Sequence, residues 1–74
     1  MDIEKAFGEV LKSVRKKAEM SQEELAHNSS LDRTYISLLE RGKRKPTINT
    51  VFSIAKALQI LPHELIKMTE KTIK

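Results

Sequence analysis

The sequence predicts an all-α fold, a compact bundle of five helices in which helices 2 and 3 form a helix-turn-helix. Two short helices with start signals of their own lie between residues 21 and 42, separated by a few polar residues. Helices shorter than about 12–15 residues are marginal in water, so flanking helices must hold these two in place. On both sides of this stretch, apolar residues recur every three or four positions, as they do along one face of a helix.

Helix 1 is predicted over residues 2–18, because one apolar face repeats at helical spacing: Ile3, Phe7, Val10, Leu11, Val14 and Ala18. Gly8 weakens the interior of this helix by up to about 1 kcal/mol relative to Ala. The sequence leaves two roles open for Gly8, a close contact with another helix or a tolerated surface position. Met20, just beyond the helix, is expected to pack into the core.

Helix 2 is predicted over residues 21–28 and begins with a capping box. Ser21 is its N-cap, and Glu24, three residues later, completes the reciprocal pair. Short polar side chains compete with the helical backbone for hydrogen bonds, so the helix is expected to end at the next polar run: Asn28, Ser29 and Ser30.

Helix 3 is predicted over residues 32–40, with Asp32 as its N-cap. Leu31 and Ile36 stand at the N′ and N4 positions of a hydrophobic staple. Gly42 ends the helix, because glycine tolerates the left-handed conformation at that position. Two helices of about two turns each, joined by a short turn, are typical of the helix-turn-helix motif.

Helix 4 is predicted over residues 47–59, with Thr47 as N-cap and an apolar stripe of Ile48, Val51, Ala55 and Leu58, flanked by Phe52 and Ile54. Helix 5 is predicted over residues 61–70, with Pro62 at its first position. The 74 residues therefore form one domain, with its core at about 3–69 and a loose tail at 70–74.

The residue inventory excludes several classes of protein. The chain has no cysteine, so we expect neither a disulfide framework nor a thiolate metal site, and two histidines make a histidine metal site improbable. Ser21 and His27 are no catalytic pair, because Ser21 caps the helix that carries His27. No enzyme, cofactor or metal is expected. No apolar stretch reaches the ~18 residues of a membrane span and no secretion signal is visible, which indicates a cytoplasmic protein.

The formal charge of +4 comes from 14 basic and 10 acidic residues, and the basic residues are clustered. One cluster is Lys12, Arg15, Lys16 and Lys17, and the other is Arg41, Lys43, Arg44 and Lys45. In an arbitrary small protein such clusters are usually solvated surfaces. Beside a helix-turn-helix they indicate contact with the phosphates of a nucleic acid.

Three stretches resemble the helix-turn-helix of the phage repressor/Cro family, often called the XRE family: SQEELA at 21–26, LDRTYIS at 31–37 and LERGKRKPT at 39–47. The second also resembles the small controller proteins of restriction–modification systems. The resemblance runs from about Phe7 to Leu65. It implies a transcriptional regulator that binds a palindromic operator in double-stranded DNA as a homodimer and regulates its own gene, with RNA polymerase as a further candidate partner.

The resemblance places helix 3 in the major groove, where recognition helices touch base edges with their N-terminal residues. The outward positions are the expected base-reading residues: Arg33, Thr34, Ser37 and Leu38. The guanidinium fork of Arg33 matches the two acceptors of guanine. Leu38 has two open roles, contact with a thymine methyl or a place in the core. Tyr35 also has two, contact with the DNA backbone or a base, or a ring that covers the core.

Family positions that contact phosphate are matched by Gln22, Arg41 and Lys43, and Arg44 and Lys45 complete the basic loop. Such contacts position a protein on DNA without reading its sequence. Arg15 and Glu40 match a pair that forms a salt bridge in the phage repressors, tying helix 1 to the end of helix 3.

Helix 5 packs against its two-fold mate in relatives, and the resemblance therefore implies a dimer interface of Leu61, Leu65, Ile66 and Met68. Leu61, Ile66 and Ile73 are apolar residues surplus to one small core.

The chain departs from the family at three positions that usually hold glycine, which are Glu19, Ser30 and Gln59. A residue other than glycine at positive φ is unfavourable. The junction at Glu19 is therefore expected to differ in detail from the family's, and Asn28 is the candidate for a left-handed conformation in the turn between helices 2 and 3.

A protein-interaction module is the alternative function, since some relatives act as antitoxins or bind other regulators. The basic loop argues against a purely protein role. The sequence leaves open whether the chain is a controller protein, a phage repressor or a host repressor, whether it activates or represses, and which operator or inducer it binds.

Overall fold

The computed structural model describes residues 1–73, which form five α-helices and contain no strand. The helices are α1 (Ile3–Lys17), α2 (Gln22–Ser29), α3 (Arg33–Glu40), α4 (Ile48–Leu58) and α5 (Pro62–Ile73). Helix α1 packs against α3 and α5, α2 packs against α3 and α4, and α4 packs against α5. The predicted all-α bundle is confirmed. Within the described part of the chain, every helix is too short or too polar to cross a membrane.

Polar side chains begin four of the helices by accepting a hydrogen bond from a backbone N–H of the first turn: Asp2, Ser21, Asp32 and Thr47. The predicted capping box is present, because the Ser21 hydroxyl accepts from Glu24 N–H at 3.0 Å and the Glu24 carboxylate accepts from Ser21 N–H at 2.8 Å. These local bonds explain why the starts of α2, α3 and α4 agree with the sequence-based prediction to within one residue.

The helices enclose one hydrophobic core between them. Its largest fully buried side chains come from all five helices: Phe7, Leu11, Leu25, Ile36, Leu39, Ile54 and Leu65. Met20 packs against this core from the α1–α2 junction, as expected. Burial of this shared core holds α2 and α3, each only eight residues long, in place.

Several residues of the predicted apolar stripes lie on the surface. Ile3 and Ile48, predicted to face inward, are 63% and 68% exposed, because each is the first residue of its helix and lies outside the packed region. Ala18 caps the end of α1 and is also exposed. Of the two residues predicted to flank the apolar stripe of α4, Ile54 is completely buried and Phe52 is 57% exposed.

Three helices end on a left-handed residue that is not glycine. Glu19, Ser30 and Gln59 have φ values of 58°, 59° and 59°. Glu19 adopts the left-handed conformation although it carries a Cβ. The expectation for Asn28 is wrong, since α2 runs one residue further than predicted and Ser30 makes the turn. After each of the three residues, the next backbone N–H bonds to a carbonyl oxygen five positions back, which satisfies the end of the helix.

Helix α5 extends beyond the predicted end at residue 70. Residues 71–73 are helical where a loose tail was expected, and Lys74 lies outside the described residues. The hydroxyl of Thr72 donates to the carbonyl of Met68 at 2.9 Å. The last turns of α5 lie along α1, and this contact extends the helix.

We expect Gln59→Gly to raise the free energy of unfolding by about 1 kcal/mol, because a left-handed backbone costs a residue with a Cβ roughly 1–2 kcal/mol and glycine very little. Thermal or urea unfolding followed by circular dichroism measures the change. Lys56→Gly is the matched control, since this exposed residue lies within α4, where glycine is expected to cost about 1 kcal/mol. A lower Tm for Gln59→Gly than for the unsubstituted chain would contradict the assignment of strain.

Candidate nucleic-acid interface

One face of α3 is open to solvent along its first two turns. Arg33 and Thr34 are exposed, and Ser37 and Leu38 are half-buried one turn further along. The opposite face of α3 carries the buried core residues of the helix. Asp32 fixes the start of the helix by accepting a hydrogen bond from Thr34 N–H at 3.0 Å. The four expected base-reading residues therefore lie together on the outer side of one helix.

Tyr35 is half-buried and packs against the hydrophobic core. Its hydroxyl lies 3.3 Å from the Oγ1 of Thr50, a buried residue in the first turn of α4. The hydroxyl of Thr47 donates to the same Thr50 oxygen at 3.0 Å. Of the two roles that the sequence left open for Tyr35, the structure supports the ring that covers the core and adds a link between α3 and α4.

The basic loop, residues 41–45, follows directly from the end of α3. It carries four exposed cationic side chains: Arg41, Lys43, Arg44 and Lys45. Gly42 turns the chain at φ 72°, and Lys43 N–H donates to the carbonyl of Leu38 at 2.9 Å. Asp2 and Glu4 of the α1 start share a shallow depression with the loop. Within residues 1–73, none of the four cations lies within 4.0 Å of a carboxylate, which leaves them available to an anionic partner.

Arg15 and Glu40 form a buried, two-pronged ion pair between α1 and α3. Arg15 Nε donates to Glu40 Oε2 at 2.6 Å, and Arg15 Nη2 donates to Glu40 Oε1 at 3.1 Å. Arg15 Nη1 also donates to the carbonyl of Met20 at 2.8 Å, which ties in the α1–α2 junction. The hydrogen bond with Glu40 raises the pKa of Arg15 above its ordinary value, so the guanidinium stays charged.

The basic cluster on α1 is smaller than the sequence indicated. Arg15 is buried against Glu40 and is no surface cation, whereas Lys12, Lys16 and Lys17 are exposed. Nothing in the sequence between Arg15 and Glu40 indicates that the two residues meet. Only the family resemblance predicted their pairing.

Gln22 joins this network from the first position of α2. Its Nε2 donates to Glu40 Oε1 at 3.0 Å, and the side chain is half-buried. An amide nitrogen has two N–H donors, so one remains for another acceptor. Glu40 therefore holds α1, α2 and α3 together, and Gln22 lies at the edge of that contact.

The residues predicted for a dimer interface separate into two groups. Leu61 and Ile66 are 58% and 47% exposed, whereas Leu65 is fully buried and Met68 is half-buried against the core. Leu65 belongs to the core of its own subunit, because its position in α5 faces the other helices, and it is not available to a second subunit.

Further apolar residues are exposed on α1 and α4. Ile3, Ile48 and Ile66 line one groove of about 320 Å³, and Phe52 lies next to Pro62. We call Ile3, Ile48, Phe52, Leu61 and Ile66 the apolar surface. Ile3 and Ile48 were assigned to the core, although their positions in the first turn of a helix could have suggested exposure, and Phe52, one turn further along α4, was assigned to a flank of the apolar stripe.

The described part of the chain contains no group of three histidine, aspartate or glutamate side chains that could hold a metal ion.

We expect Glu40→Ala to lower the free energy of unfolding by about 3–5 kcal/mol, because it leaves Arg15 buried without its partner. Urea unfolding measures the loss. Glu9→Ala removes an exposed carboxylate and is the matched control, expected within about 0.5 kcal/mol of the parent. The double variant Arg15→Met/Glu40→Leu, which leaves no buried charge, should recover most of the loss. Unchanged stability of Glu40→Ala would contradict a structural role for the pair.

Comparison with known proteins supports the resemblance drawn from the sequence. A helix-turn-helix family model, HTH_3, matches residues 11–65. Control protein C.MunI from Mycoplasma sp is 42% identical over 71 residues, which cover 95% of this chain and 96% of that protein. Control protein C.BamHI from Bacillus amyloliquefaciens is 42% identical over 64 residues, which cover 85% of this chain and 79% of that protein.

The fold matches a solved controller protein over almost the whole chain. The restriction–modification controller protein C.Esp1396I, solved as a tetramer in complex with its natural 35 base-pair operator, superimposes with a TM-score of 0.88 at 37% identity. The match covers 99% of this chain and 96% of that one. The likeness to controller proteins is thus confirmed in sequence and in structure. The chain belongs to the HTH_3 helix-turn-helix family, together with control proteins of restriction–modification systems.

Proposed function

We propose that the chain is a sequence-specific DNA-binding transcriptional regulator of the restriction–modification controller type. One observation carries the proposal: the four expected base-reading residues lie on the outer side of α3, the opposite face of that helix is buried in the core, and the helix runs into a loop with four exposed cations. Base readers and phosphate binders thus lie on one continuous segment. The control proteins that resemble this chain along most of its length support the controller assignment.

The dimensions of α3 suit the major groove of DNA. An α-helix with its side chains is about 10–12 Å in diameter, and the major groove of B-DNA is about 12 Å wide, so α3 can enter the groove. In this proposal Arg33 reads guanine with its fork, and Thr34 and Ser37 contact neighbouring base edges. Leu38, half-buried at the same surface, contacts a thymine methyl.

Phosphate contacts flank the base-reading helix on two sides. The basic loop supplies Arg41, Lys43, Arg44 and Lys45 after α3, and Gln22 supplies the free N–H of its amide at the start of α2. Both groups are held in fixed relation to α3, the loop by direct chain connection and Gln22 by its bond to Glu40. The contacts therefore set the depth and direction of α3 on the duplex.

The proposed active form is a homodimer that uses the apolar surface. A domain of this size buries only about 60% of the surface of its unfolded chain, so association adds useful burial. Ile48 and Phe52 lie one turn apart on α4, and Ile66 of α5 shares a groove with Ile48. A two-fold dimer would place two copies of α3 on half-sites about 34 Å apart, one turn of DNA. C.Esp1396I, a controller protein of the same fold, assembles as a tetramer on its operator.

Fluorescence-anisotropy titration tests the proposed DNA binding. The probe is the duplex just upstream of the chain's own gene, with a shuffled duplex of equal composition as control. We expect the operator to be bound about 10³-fold more tightly than the shuffled duplex at the same salt concentration. Equal weak binding to both duplexes at every tested site would contradict sequence-specific regulation and favour the protein-interaction module.

Two variants separate base reading from phosphate binding in the same titration. Arg33→Ala should weaken operator binding by about 1–3 kcal/mol and relax preference for one base pair in each half-site, while binding to the shuffled duplex falls less. Lys43→Ala should weaken binding to both duplexes equally and reduce the slope of log affinity against log salt by about one. If both variants bound the operator like the parent chain, the assigned interface would be wrong.

The apolar surface predicts the effect of a charge on oligomeric state. We expect Ile66→Glu to shift the chain from dimer to monomer in sedimentation equilibrium, because the carboxylate would be buried in the interface without a partner. Lys67→Glu is the matched control, because Lys67 is next to Ile66 on α5 and its side chain is exposed and polar. A variant Ile66→Glu that sediments like the parent dimer would exclude this surface as the interface.

A further inference from the structure

Helix α1 approaches the end of α3 more closely than a side chain would permit. A Cβ built on Gly8 would lie 2.5 Å from the carbonyl oxygen of Leu39 and 2.6 Å from that of Glu40. Contacts between carbon and a carbonyl oxygen are ordinarily about 3.3–3.6 Å long. The obstructing atoms are backbone and cannot rotate away, so this approach requires glycine.

Gly42 makes a second close approach to the same helix. A Cβ on Gly42 would lie 2.8 Å from Lys5 Cγ and 3.0 Å from Lys5 Cα. The chain contains two glycines in all, and both lie where α1 meets the end of α3 or the loop that follows. We call this contact, formed by Lys5, Gly8, Leu39, Glu40 and Gly42, the α1–α3 seam.

The seam lies between the groups assigned to DNA binding. On one side, α3 carries Arg33 in its first turn and continues into the basic loop. On the other, the Glu40 side chain accepts the amide N–H of Gln22 from α2. The distance between α1 and the end of α3 therefore sets where α3 and its loop stand relative to Gln22 of α2.

We propose that Gly8 is a positioning residue for DNA recognition, which rests on the proposed function. By admitting the carbonyls of Leu39 and Glu40, Gly8 sets the depth of α3 in the bundle. At this depth Arg33 reaches base edges while Gln22 and the basic loop reach phosphates. Gly8 touches no DNA and acts only through the backbone of α3. The two roles that the sequence left open for Gly8 are thereby decided in favour of the close contact.

A methyl group at this position has a defined consequence. To reach ordinary contact distances of about 3.3–3.6 Å, the end of α3 must move away from α1 by up to about 1 Å. The basic loop moves with it, whereas Gln22 stays on α2, so its 3.0 Å bond to Glu40 must stretch or break. Base and phosphate contacts then no longer form together. Binding that depends on charge alone does not require this alignment and is retained.

Gly8→Ala tests the proposal in anisotropy titrations with the operator and the shuffled duplex, well below the Tm. We expect operator affinity to fall about tenfold, as for the loss of one good base contact, and affinity for the shuffled duplex to change less than about twofold. Ser13→Ala is the matched control, because it replaces an exposed residue of α1 beside α5 and should leave both affinities unchanged. A residue needed only for folding would not alter the ratio of the two affinities in folded protein.

The outcomes distinguish the inference from the proposed function. If the parent chain shows no operator preference, the proposed function fails, and the positioning role fails with it. If the parent shows the preference and folded Gly8→Ala keeps it, only the positioning role is overturned. Should Gly8→Ala not fold, the substitution is repeated in a chain stabilised by Glu19→Gly and Gln59→Gly. Failure to fold there as well overturns the positioning role and makes Gly8 a requirement of the fold.

Discussion

The buried ion pair between Arg15 and Glu40 is the interaction on which the rest of the structure depends. Removing two charges from water costs several kcal/mol for each ion, and only good geometry with further hydrogen bonds offsets that cost. The pair has both, because two hydrogen bonds join the guanidinium to the carboxylate. In addition, Arg15 Nη1 donates to the carbonyl of Met20, and Gln22 Nε2 donates to Glu40. One contact thereby joins three helices, two of which are too short to be stable alone.

The position of the pair also decides which charges face the solvent. Arg15 would add a cation to the surface of α1, but Glu40 neutralises it inside the protein. Glu40 would place a carboxylate beside the basic loop, but Arg15 neutralises it in turn. The loop after α3 therefore keeps its cations without a nearby free carboxylate from the recognition helix. This pairing favours anion binding by the loop, since a free Glu40 carboxylate would compete with phosphate for the loop cations.

Local signals made the helices and the motif predictable from sequence. The capping box at Ser21, the N-caps Asp32 and Thr47 and the stop at Gly42 act within a few residues, so the sequence contains them directly. Which side of an apolar stripe is buried depends on neighbouring helices, and for that reason Ile54 and Phe52 could not be told apart. The same holds for Leu65, whose burial depends on the other helices.

In the candidate site too, local features could be predicted from the sequence and long-range contacts could not. The exposure of Arg33 and the loop cations was predictable because charged side chains are rarely buried unless they are paired, whereas the Arg15–Glu40 pair joins residues 25 positions apart and came only from the family resemblance. The sequence left two roles open for Gly8. Only the three-dimensional structure shows which atoms occupy the space where a side chain would lie. Contacts between residues distant in the sequence therefore could not be predicted from it, although such contacts hold the helices that carry the candidate interface.

The left-handed turn at Glu19 connects backbone strain with the ion pair. The left-handed conformation of Glu19, at φ 58°, is unfavourable for a residue with a Cβ, and glycine would adopt it with little strain. The turn reverses the chain after α1, so that Met20 N–H bonds to the carbonyl of Arg15 at 3.2 Å while the Met20 carbonyl accepts from the Arg15 guanidinium at 2.8 Å. The backbone at residue 19 thus completes the shell around Arg15. Because the same guanidinium holds Glu40, a strained turn outside the proposed base-reading helix contributes to the position of that helix.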